Sequence, residues 1–142
     1  MKNKKFFLPV AVFFLLVLVS NAARATGVNY TGHYELADKK AAWGFSFDIT
    51  QTGSKAELSF SAAMEDGSGA APDGDGKGEV NAKGALAFTF KDSFGNEGTG
   101  TLESKGDNYL VKMIVTKVAE PRPLRFYGDT VLKKTASKPS AQ

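Results

Sequence analysis

Side chains that commonly carry catalysis are scarce in this sequence. The chain has one histidine, His33, and no cysteine, which excludes a two-histidine metal site and a thiolate nucleophile. The stretch Gly67-Ser68-Gly69 has no strand-to-helix context, so it does not match the nucleophile elbow of hydrolases. No Walker loop or dinucleotide fingerprint occurs. A nucleotide-dependent or thiol-dependent enzyme is therefore not expected.

Carboxylates are the only abundant groups that could act as acids or bases. A glycosidase needs two of them across a cleft, and Glu35, Asp48 and Glu57 are candidates on the polar faces of predicted strands. No spacing marks a particular pair, and charged side chains at such positions are usually solvated. The sequence therefore predicts a protein that is not an enzyme and that uses no cofactor.

The segment Glu65–Glu79 is the most unusual stretch, because its carboxylates are interspersed with glycines. It is predicted to be a loop of 15 residues, long for a compact domain and for that reason a candidate functional loop. We predict that its acidic side chains bind a partner with a basic cleft, since complementary charge speeds association. The candidates are Glu65, Asp66, Asp73, Asp75 and Glu79.

Calcium is a second possibility for the same segment. Asp73, Asp75 and Glu79 supply oxygen ligands separated by flexible residues, which suits a hard cation. Lys77 and Gly84 stand at the fifth and twelfth positions of an EF-hand loop counted from Asp73, and both break that pattern. The alternative is a solvated acidic loop, and no metal is assigned.

Alternating patterns predict the elements that position these residues. Trp43, Phe45, Phe47 and Ile49 alternate with small or polar residues, which is the period of a half-buried strand. The predicted strands are Asn29–Ala37, Trp43–Thr50, Ala56–Ala62, Lys77–Ala82, Leu86–Lys91, Gly98–Lys105, Tyr109–Val118 and Leu124–Lys133. The predicted fold is all-β, an eight-stranded antiparallel meander that closes into a small barrel. A two-sheet sandwich is the alternative.

Large aromatic residues share one face of these strands. The runs are short for strands that cross a membrane, so this face is predicted to point into the barrel. It would then either fill the interior or line a pocket for a small hydrophobic ligand. The ligand-pocket candidates are Trp43, Phe45, Phe47, Phe60, Phe88 and Phe90.

The first and last predicted strands together resemble the lipocalins and related calycins. That family carries Gly-x-Trp on its first strand and a late basic residue that packs over the ring. The stretch Gly32–Leu36 has Gly32, His33 and Tyr34 at the corresponding positions, with Tyr34 in place of the tryptophan, and Arg125 lies in the last predicted strand. Lipocalins are usually longer and often have a helix after the barrel. The resemblance implies a calycin-like barrel and carriage of a small ligand.

The first 25 residues have the order of a secretory signal peptide. A basic start is followed by the apolar run Phe6–Val19 and by Ala23-Arg24-Ala25, so cleavage is expected before Thr26. The expected organisation is a signal peptide at 1–25, one domain at 26–134 and a disordered tail at 135–142. Cleavage would remove four of the 18 basic residues and leave 14 against 15 acidic ones, a formal charge of −1. That balance gives no support for nucleic-acid binding.

These observations lead to one functional expectation with one alternative. The chain is expected to be a periplasmic or secreted binding protein that does not span the membrane after processing. It could be a hydrolase inhibitor or an immunity-type protein that presents a loop on a rigid scaffold. The alternative is a lipocalin-like carrier of a small hydrophobic ligand. The sequence does not identify the exported partner protein or the ligand.

Overall fold

Residues 27–136, the part of the chain that the computed structural model describes, form eight strands, most of which alternate apolar with polar residues. A short 3-10 helix, Arg122–Phe126, precedes the last strand. The strands are β1 (Gly32–Leu36), β2 (Trp43–Thr52), β3 (Lys55–Met64), β4 (Asp73–Val80), β5 (Leu86–Asp92), β6 (Glu97–Lys105), β7 (Asn108–Lys117) and β8 (Asp129–Thr135).

Each strand pairs antiparallel with its neighbours in sequence, and β1 pairs with β8 to close the barrel. The predicted meander barrel is thereby confirmed, and the sandwich alternative is wrong. The longer connections, β1–β2, β3–β4 and β7–β8, lie with the β5–β6 turn at one end, which we call the loop end. The turns β2–β3, β4–β5 and β6–β7 lie at the opposite end. Among residues 27–136, no helix has the length and apolar character needed to cross a membrane.

Inward-facing glycines on β4 and β6 give the aromatic rings their space. Gly78 and Gly100 flank Phe88 on the two neighbouring strands. A Cβ atom built on Gly100 would lie 2.3 Å from Cζ of Phe88 and 2.7 Å from the backbone oxygen of Lys112. The phenyl ring therefore occupies the volume that a side chain at Gly100 would need, a known device for packing aromatics in curved sheets.

Replacing Gly100 with alanine is expected to lower the free energy of unfolding by about 1–3 kcal/mol, because the new methyl group meets a ring and a backbone oxygen that cannot both move away. Gly44→Ala is the matched control: Gly44 also lies in a strand, but a Cβ atom there meets nothing within 4 Å. Urea denaturation of both variants measures the difference. Equal midpoints for the two variants would contradict this account of the core.

The largest differences from the predicted bounds are at β4 and β8. The segment Glu65–Glu79 is not one irregular loop, because β4 begins at Asp73 and pairs with both β3 and β5. The glycines of β4 face inward beside large side chains of other strands. β4 therefore lacks the alternation of apolar and polar residues by which a strand is predicted from sequence. The last strand begins at Asp129 rather than Leu124, since Arg122–Phe126 forms the 3-10 helix after Pro121.

The predicted signal peptide at 1–25 lies outside the described residues and stays a prediction. Thr135, the first residue of the predicted tail, is the last residue of β8. Residues 137–142 of that tail also lie outside the described residues.

Candidate functional site

The interior of the barrel is packed with aromatic side chains. Phe45, Phe47, Phe60, Phe88 and Phe90 are all buried, and Trp43 is half-buried beside them. The rings pack against one another, with centroids 5.6 Å apart for Phe47 and Phe88 and for Phe60 and Phe90. Five of the six predicted ligand-pocket residues are thus buried together in one cluster inside the barrel.

The end opposite the loop end is closed by three tyrosines. Tyr30 and Tyr34 are buried, and both ring edges pack against Tyr109. The hydroxyl of Tyr34 donates to the backbone oxygen of Tyr30 at 2.6 Å, and the hydroxyl of Tyr30 donates to the backbone oxygen of Gly84. Burial raises the pKa of both phenols, so both stay neutral and can donate hydrogen bonds. These hydrogen bonds hold the residues that precede β1 across this end of the barrel.

The loop end is closed by the segment that contains the 3-10 helix. Phe126 is buried and its ring lies 5.8 Å from that of Trp43, while the ring of Tyr127 lies 5.4 Å from that of Phe90. Pro123 is fully buried in the same segment. The connection between β7 and β8 therefore forms a lid over the interior.

A buried polar network anchors this lid to the β5–β6 turn. The Asp92 carboxylate accepts hydrogen bonds from the backbone amides of Phe94 and Asn96 at 2.9 Å and from the Tyr127 hydroxyl at 2.7 Å. The Asn96 side-chain oxygen accepts from the backbone amides of Ala119 and Glu120. Burial, followed by the bond to Asp92, raises the pKa of Tyr127. The sequence analysis missed this network, although Asp92 and Asn96 flank a glycine turn, where such side chains bond to nearby backbone.

The predicted partner-binding residues are distributed between a loop and a strand. Glu65 and Asp66 lie in the β3–β4 connection, where Asp66 accepts from the backbone amide of Ser68 at 2.9 Å. The hydrogen bond from the Ser68 side chain, followed by that from its backbone amide, holds the pKa of Asp66 below its ordinary value. Asp73, Asp75 and Glu79 instead point outward along β4. The five carboxylates therefore extend from the loop end down one wall of the barrel.

The strand geometry of β4 separates the three calcium candidates. Alternate residues of a strand lie about 6.6 Å apart, whereas calcium ligands lie about 2.3–2.6 Å from the ion. Asp73 and Asp75 pair with different residues of β3, Ser61 and Ser59. Within residues 27–136, no group of three or more histidine or acidic side chains is placed to hold a metal ion.

An open concavity of about 470 Å³ lies beside the loop end, between the end of β1 and the start of β2. Pairing of β1 with β2 stops at Glu35 and Ser46, while β2 continues to Trp43. The two strands separate there, and small residues leave the space open. Four carboxylates line the concavity, those of Glu35, Asp38, Glu65 and Asp73, together with the ammonium group of Lys39.

The single histidine lies on the outer wall next to this concavity. His33 Nδ1 is 2.7 Å from Oδ1 of Asp48, and Nε2 is 3.4 Å from Oε1 of Glu35. The hydrogen bond to Asp48 raises the pKa of His33 above 6.5. Lys39 bonds Glu35 at 3.1 Å, and this bond and His33 lower the pKa of that carboxyl. When protonated, the imidazole of His33 on β1 therefore forms an ion pair with the carboxylate of Asp48 on β2.

Replacing His33 with glutamine is expected to cost stability mainly at lower pH. Because the folded-state pKa is raised, the stabilising effect of His33 is fully present below pH 6.5 and is lost as pH rises through the folded-state pKa. The Asp48 carboxylate is more than half exposed to solvent, so the effect should stay below about 1 kcal/mol. Urea unfolding of both proteins between pH 5.5 and alkaline pH measures it. A difference that does not shrink as pH rises would contradict the ion pair.

The basic residue that lies near the ring of Tyr34 is not the predicted Arg125. Nζ of Lys134, on β8, lies 5.5 Å from the ring centroid of Tyr34. Arg125 is in the 3-10 helix, where its guanidinium stacks 5.0 Å from the ring of Phe126 and its Nη2 lies 3.4 Å from the backbone oxygen of Ser68. The prediction for Arg125 is wrong because the last strand starts after it.

No protein-family model matches this chain, and no curated protein matches it. Among solved structures, the chain is similar to a de novo designed, fluorescence-activating beta barrel. The two share 16% sequence identity with a TM-score of 0.49, over 75% of this chain and 94% of the other.

Proposed function

We propose that the protein is an exported, non-enzymatic binding protein that contacts a partner protein through its loop end. The observation that carries this proposal is the packed interior, which its own rings occupy and which side chains close at both ends. A binding surface of such a barrel must therefore be external. Rigid scaffolds commonly bind through the loops at one end, and three long connections collect at the loop end here.

The charge of the loop end favours a basic partner. Glu65 and Asp66 are exposed at its edge, and the neighbouring concavity carries more carboxylates than ammonium groups. Lys39 in that concavity is already paired with Glu35. A hydrolase with a basic substrate cleft is the kind of partner that this surface would fit, and the protein would then act as its inhibitor or immunity-type partner.

The lipocalin-like alternative requires the interior to open. A ligand there would have to displace rings such as Phe47 and Phe60, which stack at 6.3 Å. It would also have to pass the Phe126 lid or the tyrosines at the other end. Protein interiors packed in this way rarely hold empty volume for a ligand, so the external surface is the better proposal.

Charge reversal at the loop end tests the proposed function. The double variant Glu65→Lys with Asp66→Lys should lose capture of a partner from periplasmic extract by the processed domain. The control is Asp107→Lys, an exposed reversal in the β6–β7 turn at the opposite end. Because Ala70 and Pro72 are buried, reversal of exposed charges is a cleaner test than deletion of the β3–β4 connection. Equal capture by both variants would refute binding through the loop end.

A further inference from the structure

The segment Glu65–Glu79 contains every aspartate–glycine sequence of the chain. They are Asp66–Gly67, Asp73–Gly74 and Asp75–Gly76. An aspartate that precedes glycine can rearrange to isoaspartate without an enzyme, because glycine has no side chain to hinder its amide nitrogen from approaching the preceding carboxyl carbon. The structure places the three sequences in two different environments, so their reactivity in the folded protein should differ.

The rearrangement consumes no reagent other than water and proceeds through a cyclic succinimide. The backbone nitrogen of the glycine attacks Cγ of a protonated aspartate, and the amide proton leaves with the carboxyl hydroxyl group as water. A second water molecule then opens the ring. Opening at Cγ restores aspartate, whereas opening at the main-chain carbonyl gives isoaspartate, in which a methylene group has been added to the main chain.

The two aspartates of β4 are held in a geometry that prevents this attack. Gly74 and Gly76 lie in a strand that pairs with β3 on one side and with β5 on the other. Gly74 is packed against the ring of Phe60, and Gly76 is packed against the side chain of Leu58. To reach the carboxyl carbon, either amide would have to rotate out of the sheet and break that pairing.

Asp66–Gly67 lies outside the sheet, in the turn that follows β3. Asp66, Gly67 and Ser68 are exposed, and a Cβ atom built on Gly67 would meet nothing within 4 Å. The amide of Gly67 donates to the backbone oxygen of Met64 at 3.0 Å, and the amide of Ser68 donates to the Asp66 carboxylate at 2.9 Å. Both hydrogen bonds lie within the turn, so they can open locally while the sheet stays paired.

We propose that Asp66 is the site at which the folded protein forms isoaspartate, and that strand pairing protects Asp73 and Asp75. The product would have a longer main chain between β3 and the buried Ala70, and the amide of Ser68 would lose its acceptor. Asp66 is one of the carboxylates through which we propose that the loop end binds, so the isomerised fraction should be captured less well. That consequence rests on the proposed function, whereas the isomerisation itself does not.

Ageing of the processed protein tests the proposal, with the same chain aged in guanidinium chloride as the unfolded reference. The buffer is mildly acidic, because the reaction needs a protonated carboxyl and hydrogen bonds from Ser68 lower the pKa of Asp66. All three sequences lie in one tryptic peptide, 56–77, whose isomers have equal mass and separate by chromatography. An endoprotease that cuts before aspartate but not before isoaspartate then locates the modified residue.

All three aspartates should isomerise in the unfolded chain. In the folded protein, Asp66 should react within about tenfold of its unfolded rate, because the turn opens locally at little cost. Asp73 and Asp75 should react at least about a hundredfold more slowly than in the unfolded chain, because each requires strand pairing to open.

Glutamate substitutions provide the matched variants. Asp66→Glu should abolish isoaspartate formation in the folded protein, because glutamate must close a larger ring and does so far more slowly. Asp73→Glu changes an exposed aspartate of β4 in the same way and should leave the folded protein's isoaspartate content unchanged.

Three results would overturn the proposal. They are isomerisation of Asp73 or Asp75 in the folded protein as fast as that of Asp66, an unchanged Asp66 under conditions in which the unfolded chain reacts, and no isoaspartate in either sample. Persistence of isoaspartate in the folded Asp66→Glu variant would equally contradict it. None of these outcomes depends on capture of a protein by the loop end.

Discussion

Replacing Phe88 with alanine is expected to lower the free energy of unfolding by about 3–5 kcal/mol. The ring is buried, lies 5.6 Å from that of Phe47 and covers the backbone at Gly100. Glycine at that position leaves no neighbouring side chain on β6 to relax into the space. The cavity should therefore persist, and urea denaturation monitored by circular dichroism measures the loss.

Thr89→Ala is the control for this change. Thr89 is adjacent in the same strand but points outward, so its loss should alter stability by no more than about 0.5 kcal/mol. If Phe88→Ala and Thr89→Ala unfold at the same urea concentration, the assignment of inside and outside is wrong.

Replacing Asp92 with alanine is expected to cost about 3 kcal/mol, because it leaves the part-buried backbone amide of Phe94 and the buried one of Asn96 without an acceptor. It also removes the acceptor for the Tyr127 hydroxyl, which holds the lid. Asp92→Asn should cost less, since its one amide oxygen still accepts some of these bonds. Denaturant unfolding of the two variants gives this graded series.

Asp107→Ala serves as the reference for the Asp92 variants. Asp107 is an exposed aspartate in the β6–β7 turn, and its loss should be nearly neutral. The network would not hold the lid if Asp92→Ala proved as stable as Asp107→Ala, or if Asp92→Asn and Asp92→Ala were equally destabilised.

The sequence predicts those elements whose own alternation is strong. Trp43–Thr50 and Leu86–Lys91 match β2 and β5 because one face of each is plainly apolar. It predicts β4 mostly as loop, since the inward positions Gly74, Gly76 and Gly78 have no side chains of their own. The large side chains that fill the space beside these glycines belong to neighbouring strands. The sequence of β4 alone therefore does not reveal them.

The candidate site was predictable only in part. The acidic character of Glu65 and Asp66 is a local property and is evident in the sequence. The concavity and the Asp92 network join residues that are distant in the sequence, for example Asp92 and Tyr127, which only the fold brings together.

The pairing of β1 with β8 sets the order in which this chain can be completed during synthesis. Residues such as Glu35 and Lys133, from opposite ends of the domain, meet across that seam. Contacts of that sequence separation form slowly, and β8 is the last of the eight strands to be synthesised. Until β8 has emerged, β1 and β7 are unpaired edges of an open sheet. The barrel therefore cannot close while its first seven strands are being made, and an incomplete chain presents two edges to which other chains could pair.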